Sequence, residues 1–269
     1  WKLALVIQKI ASPVLLNSYE SERRPVIQLN SEESLKNYTK ILDVPKALGL
    51  DVRGLKIKAR FVNHPIIQLL PQKWINNLIA YVQNALAKKA LKVDQNPILR
   101  KRVQAVIQEQ TDHFDRIGLD LGYVYRTGAI IPHSGDPIPE QPVSMYQPTI
   151  EPGVRFPHFW FPCQETQKSS HSWLQPDGFT LLCNSIGEVW WLKNKEYLPS
   201  AIQKSIRVIN VERLFSLSGD PLPFPSYYPI RQTPILFIRP DGQIAWQPKE
   251  LDLDICKIFE QLIPTSCVS

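Results

Sequence analysis

The sequence predicts a mixed α/β protein, α+β overall, with helices first and alternating strands and helices last. Three observations carry this. Apolar residues recur at helical spacing through most of the first 114 residues. Eight of the 24 prolines then fall between Pro132 and Pro162, a spacing that no helix survives. Beyond them, short apolar runs alternate with helical stretches and end in a hairpin with an Asp-Gly turn. The boundary is placed near residue 150, dividing a mostly helical part with a Pro-rich connector (1–150) from an α/β domain (151–269).

In the first part, Leu3, Val6, Ile7 and Ile10 keep helical spacing. Ser12-Pro13 reads as an N-cap with proline at the first helical position. The helix it opens should carry Leu15, Leu16 and Tyr19 inward and stop or kink at Pro25. Asn30 with Glu33 resembles a capping box for a further helix, with Leu35, Tyr38, Ile41 and Leu42 as its apolar stripe. Alternation from Leu55 to Phe61 suggests a strand. Two helices follow. One runs from about Gln72 to Leu91, with Trp74, Leu78, Ile79, Val82 and Leu86 on one side. The next is capped by Asn96-Pro97, with Leu99, Val103, Val106 and Ile107 inside.

In the second part, Phe179–Cys183 and Ile206–Val211 read as strands with a helical stretch between them over 187–204. Pro234–Ile238, the turn Arg239-Pro240-Asp241-Gly242 and Gln243–Trp246 form the hairpin. A last helix carries Leu253, Ile255, Ile258, Phe259 and Leu262. This order is that of a thioredoxin-like domain. Dithiol chemistry needs a thiolate at a helix N-terminus and a resolving thiol one turn away. Cys183-Asn184-Ser185-Ile186 puts isoleucine at the resolving position, so Cys183 reads as a buried structural thiol. Thr233-Pro234 stands where thioredoxins carry a cis-proline, and both cis and trans forms fit there.

Composition removes other classes. The net charge is +6, but the 31 basic residues are interspersed with 25 acidic ones. The basic runs at 56–60 and 99–102 are short and lack aromatic partners, so they read as solvated surface and not as a nucleic-acid face. Cys163, Cys183, Cys256 and Cys267 form no C-x-x-C, and no histidine stands at zinc-ligand spacing from them. Free thiols point to a reducing, cytoplasmic compartment, and no metal is expected. No apolar run approaches the roughly 20 residues that span a bilayer. The chain opens on Trp1 inside a helical pattern, so residue 1 is not expected to be a natural start.

Chemistry-bearing motifs are scarce. There is no G-x-G-x-x-G, no Walker loop and no G-x-S-x-G. His113 with Asp112 and Asp115 reads as helix-end charge rather than an acid–base group. Trp190-Trp191 reads as a half-buried helix face rather than a stacking platform. No catalytic residue can be named.

Four short motifs in fixed order are more specific. Trp1-Lys-Leu-Ala-Leu-Val6, followed by Leu15–Val26 with Tyr19, Glu22, Arg23, Arg24 and Pro25, resembles the last helices of the FAD-binding fold in flavoprotein aromatic hydroxylases. The segment His113–Tyr125, with Asp115, Gly118, Gly122 and Tyr123, resembles the connector of their phenol and polyketide hydroxylase branch. Pro152–His158 and Ile238–Trp246, with Arg239, Pro240, Asp241 and Gly242, resemble the start and the late hairpin of that branch's C-terminal thioredoxin-like domain. The named residues suit a scaffold better than a catalytic group.

The resemblance implies the C-terminal portion of an FAD-dependent monooxygenase that uses NAD(P)H and O2 to hydroxylate a phenol-like ring. FAD is implied for the complete protein, while no flavin-contacting residue carries over to this chain, because the Gly-rich strand–turn–helix is not in it. The fragment alone is expected to be inactive. The implied partners are a small aromatic substrate and O2, with no nucleic acid and no membrane span, and a homodimer is left open. The competing classes are a non-catalytic interaction or dimerisation module and a dithiol oxidoreductase.

Overall fold

The computed structural model describes residues 1–48, 71, 73–74, 76–77, 80–81, 84, 88, 95–110, 115–133, 137–163, 166–216 and 233–265. These fall into two units, Trp1–Gln28 with Ile117–Ser269, and Leu29–Arg116. The expected strand at 55–61, the acid–base candidates Asp112 and His113, Cys267, and Leu78, Ile79, Val82 and Leu86 lie outside the described residues.

α1 (Lys2–Ile7) leads to a 3-10 turn (Pro13–Leu16) and then α2 (Asn17–Lys40), whose residues to Gln28 belong to the first unit and the rest to the second. Ser12 caps the turn as expected, its Oγ accepting from the Val14 amide at 3.3 Å. α1 is helical as the spacing predicts. Lys2 and Leu5 are buried and Val6 and Ile10 pack partly on the core, while Leu3 and Ile7 are exposed. Leu15 is buried, but Leu16 and Tyr19 face solvent.

Pro25 does not stop α2; it lies inside the helix. Proline removes the amide that would bond the carbonyl four residues back. That carbonyl, on Ser21, accepts instead from Thr127 Oγ1 at 3.4 Å. The helix therefore runs through the expected capping position at Asn30, and its stripe of Leu35, Tyr38 and Ile41 is exposed.

α3 (Asp43–Ala47) and α4 (Pro97–Gln108) belong to the second unit. Asn96 caps α4 as expected, its Oδ1 accepting from Ile98 and Leu99. Val103 is buried, whereas Ile107, expected inside, is exposed. Described residues between 73 and 88 are helical, with Trp74 exposed rather than inward.

α5 (Ile117–Leu121) precedes the Pro-rich segment, whose described residues hold no regular element from 122 to 154. An antiparallel pair of β1 (Trp160–Cys163) and β2 (Thr166–Ser169) follows; β1 begins within the Pro132–Pro162 stretch read as an extended connector, and β2 lies beyond it. Then come β3 (Phe179–Cys183), α6 (Ser185–Asn194), α7 (Ser200–Lys204), β4 (Ile206–Asn210), α8 (Val211–Ser216), β5 (Ile235–Ile238), β6 (Ile244–Trp246) and α9 (Ile255–Leu262). The helical stretch expected over 187–204 divides at Pro199, where Leu198 is extended.

The main sheet has the order β4-β3-β5-β6, with β3 and β4 parallel and the other neighbours antiparallel. Strand–helix–strand, hairpin and terminal helix are thus all present, and the mixed α/β class holds. Both faces of the sheet are covered, so its strands read as continuous apolar runs. One face carries Phe179, Phe237, Trp190, Trp191, Phe259, Leu5 and Leu15. Trp190 and Trp191 are thus both buried, more deeply than a half-buried face would have them. The other face carries Phe156, Phe161, Trp173, Leu182, Leu236 and Ile244.

Candidate functional site

The hairpin turn places Arg239 under the protein surface, where an unpaired guanidinium would be prohibitively costly. Its five N–H groups are all used. Nη1 donates to Glu22 Oε1 at 3.0 Å and to the Ala129 carbonyl at 3.3 Å. Nη2 donates to Glu22 Oε2 at 2.9 Å and to Asp241 Oδ2 at 2.5 Å, and Nε donates to Asp241 Oδ1 at 3.0 Å. Glu22, only 3% exposed, also takes Lys2 Nζ at 2.8 Å and the Ala129 amide at 2.8 Å. The two cations and two carboxylates cancel, leaving a neutral cluster of four charges drawn from α1, α2 and the hairpin turn.

Aromatic rings close the cluster. The Arg239 guanidinium carbon lies 4.9 Å from the Trp1 ring centre and 5.3 Å from that of Tyr125. Trp1 Nε1 donates to Asp241 Oδ2 at 3.1 Å, and the Trp1 ring meets Phe179 edge-on at 5.6 Å. Arg23 donates to the Tyr125 hydroxyl at 3.1 Å, and Gln243 Nε2 to the Tyr123 hydroxyl at 3.0 Å. Gly128 has a φ of +98°, and a Cβ there would lie 2.5 Å from Glu22 Oε1, so backbone sterics also favour glycine beside the carboxylate.

The electrostatics follow the geometry. Burial pulls Lys2 below the usual lysine range despite its bond to Glu22. Burial also opposes the charge on Arg239, but Asp241 and Glu22 outweigh it and hold the guanidinium above its ordinary value. Burial alone would raise Asp241, yet the adjacent Arg239 and the Trp1 N–H hold its carboxyl below the usual carboxylate range. Burial raises the Tyr125 hydroxyl. Every charge is partnered within the cluster, which joins α1, α2 and the hairpin turn.

Of the residues named from sequence, Trp1, Glu22, Arg23, Tyr123, Arg239 and Asp241 meet here. Gly242 closes the hairpin turn at a φ of +79°, and Pro240 is the turn residue beside it. Tyr19 and Arg24 are apart; Arg24 pairs with Glu20 on the exposed face of α2. Pro25 serves the helix as described above. Gly118, in α5, bonds the Val143 carbonyl through its amide, and the Gly122 amide bonds the Gly118 carbonyl. Asp115 is exposed. Sequence reasoning missed Lys2, Tyr125, Gly128 and Ala129. Lys2 reads as surface in any residue scale, and only a carboxylate one helix away reverses that.

The strand–helix junction at β3 and α6 is the place where a nucleotide or a thiol could act. Cys183 is buried, its Sγ lies 3.6 Å from the Ile209 carbonyl, and burial pushes its thiol up to about 12. It is a neutral structural thiol. Pro234 is trans, as no cis peptide occurs among the described residues. A flavin pyrophosphate would need the free amides of a helix N-terminus. At α6 the Ser185 amide and hydroxyl are taken by Glu212, and the Gly187 amide by Asn184 Oδ1. A Cβ on Gly187 would lie 1.9 Å from the Pro234 carbonyl, so no space is left for phosphate. The residues of this junction do not fit FAD. No group of three or more metal-ligating side chains occurs among the described residues.

No family model matches the chain. It is 27% identical over 249 residues to the FAD-dependent monooxygenase apdD of Emericella nidulans, covering 91% of this chain and 32% of that protein. It is 24% identical over 270 residues to phenol 2-monooxygenase of Pseudomonas sp. (strain EST1001), covering 94% of this chain and 38% of that protein. Among solved structures, the flavin-dependent monooxygenase PieE in complex with FAD and substrate shares its fold at a TM-score of 0.64 and 20% identity, over 97% of this chain and 42% of that one. The chain spans about a third of the length of the curated relatives it matches over most of its own length. Its homologues are FAD-dependent aromatic monooxygenases, and it matches a C-terminal portion of such a hydroxylase.

Proposed function

We propose that the chain is the C-terminal scaffold of an enzyme that uses NAD(P)H to reduce FAD and O2 to hydroxylate a phenol-like ring. The observation that carries this reading is the similarity along more than nine-tenths of the chain to apdD and phenol 2-monooxygenase. The convergence of residues from Trp1–Val6, Leu15–Val26, His113–Tyr125 and Ile238–Trp246 on one clasp supports it. The flavin chemistry then belongs to a segment outside these residues, and the chain alone is inactive. Residues 151–269 are read as a thioredoxin-like domain without dithiol chemistry. All six strands among the described residues fall there, and Cys183 has neither an ionised thiol nor a resolving partner in Ile186.

The test is a chimera in which this chain replaces the matching portion of phenol 2-monooxygenase. Flavin absorbance, NAD(P)H oxidation with and without phenols, and product mass under 18O2 are measured. Substrate-stimulated oxidation with one labelled atom in a ring hydroxyl is the expected result. A chimera that binds FAD and oxidises NAD(P)H but never labels the ring sinks the monooxygenase reading. A second reading, an interaction module, is favoured by the exposed Ile186, Val189 and Leu192 on α6. A concentration-dependent dimer lost on Val189→Glu, measured by sedimentation, is its test.

A further inference from the structure

A cavity of about 660 Å³ opens in the Pro-rich segment, beside the ionic clasp, with which it shares Tyr125. Its size suits a small organic molecule. Prolines at 132, 137, 139 and 152, with Val124 and Ile138, line much of it. Proline has no N–H to donate, so this wall is apolar and poor in backbone donors. Recognition falls to a few side chains. Arg126 donates one guanidinium N–H to the Ile138 carbonyl at 2.8 Å, which fixes the fork at the cavity with further N–H groups to offer. Lys249 lies on the lining and makes no ion pair among the described residues. Glu151 is already engaged, at 2.6 Å from His133 Nδ1, and that ring is held by the Gln247 carbonyl at 2.6 Å from Nε2. Thr149 is also on the lining, and its Oγ1 is buried without a hydrogen-bond partner among the described residues.

Two cations against one partnered carboxylate make a lining that is net positive. An orphaned hydroxyl in such a wall marks a position where a ligand oxygen would complete the bonding. We infer that this cavity is a binding site for a small aromatic carboxylate. Its acid group is taken by Arg126 and Lys249, an oxygen is bonded by Thr149, and its ring lies among the prolines. A planar guanidinium fork matches a carboxylate in particular.

The test is calorimetric titration of the 269-residue chain with 2-naphthoate and with its neutral counterpart, 2-naphthalenemethanol. Saturable one-to-one binding of 2-naphthoate is expected, with the alcohol weaker by about tenfold. Lys249→Gln, an exposed change that leaves the fold intact, should weaken 2-naphthoate by about threefold to tenfold and lessen its salt dependence. Thr149→Val removes a hydroxyl that the protein itself does not use. It should leave the melting temperature unchanged or raised while weakening 2-naphthoate by about threefold to tenfold. No saturable binding of 2-naphthoate at millimolar concentration overturns the inference. So does equal binding of acid and alcohol, or binding that neither substitution alters.

Discussion

Glu22 is the centre of the clasp, and Glu22→Gln isolates its charge without changing its size. The substitution leaves Lys2 and Arg239 buried with Asp241 alone, so one positive charge loses its partner under the surface. It also puts an amide N–H₂ against a donor. Removing one member of a buried ion pair costs about 3–5 kcal/mol, most of it the penalty of the stranded charge. For a chain of this size that corresponds to a fall in melting temperature of roughly 6–20 °C. Urea denaturation followed by far-UV circular dichroism reads the loss directly. The control is the triple change Lys2→Met, Glu22→Leu and Arg239→Met. It leaves Asp241 as the one charge of the four, at the rim where its side chain is 33% exposed. If stranded charge is the cause, the triple variant should recover most of what Glu22→Gln loses. A loss under about 1 kcal/mol in the single variant, or a triple variant no better than the single, refutes the reasoning.

Other expectations follow from the same geometry. Gly128→Ala places a side chain at a φ of +98° and against Glu22, and should cost about 1–3 kcal/mol in the same urea assay. The Asp241 carboxyl is held below its unfolded value, so its contribution is present above about pH 4 and is lost as pH falls through the folded value. Asp241→Asn should therefore flatten the acid limb of the stability–pH curve, and an unchanged limb would count against the Arg239 contact. Cys183, its thiol pushed up to about 12, should resist iodoacetamide at pH 8 while the exposed Cys256 is labelled, as mass spectrometry of the peptides would show. Cys183→Ser should cost about 1–3 kcal/mol and change no rate of insulin reduction.

The strands were the most legible part of the sequence. A sheet covered on both faces needs uninterrupted apolar runs, and Phe179–Cys183 and Ile235–Ile238 are such runs, bounded by turn residues. The Asp-Gly turn was legible for the same local reason. Helix faces were not. Leu3, Tyr19 and Leu35 obey the period of a buried stripe yet lie in solvent, because period fixes which residues share a face but not what lies opposite it. The helix does not stop at Pro25, and its missing bond is compensated from Thr127, a residue 106 positions away. Trp1, Glu22, Arg239 and Asp241 were legible within motifs, but Ala129 lies outside every motif and the pairing was not legible. Glu22 and Arg239 lie 217 positions apart, and no local rule joins them.

That separation bears on what similarity to the hydroxylases can transfer. Apolar residues could fill the space of the clasp at similar stability, since buried ion pairs commonly yield nothing net over a packed core. What apolar residues could not do is fix direction. Five guanidinium N–H groups accept one placement of Glu22, Ala129 and Asp241, and Lys2 and Trp1 accept one placement of α1 against the turn. Trp1, Glu22, Arg239 and Asp241, which carry part of the resemblance, are therefore among the residues that fix how α1 and α2 meet the hairpin turn. A signature of that kind transmits geometry, and geometry can be kept while a reaction changes. The shared fold and the hydroxylation are then separate claims: the first rests on residues present in this chain, and the second turns on whether oxygen enters a ring in the chimera.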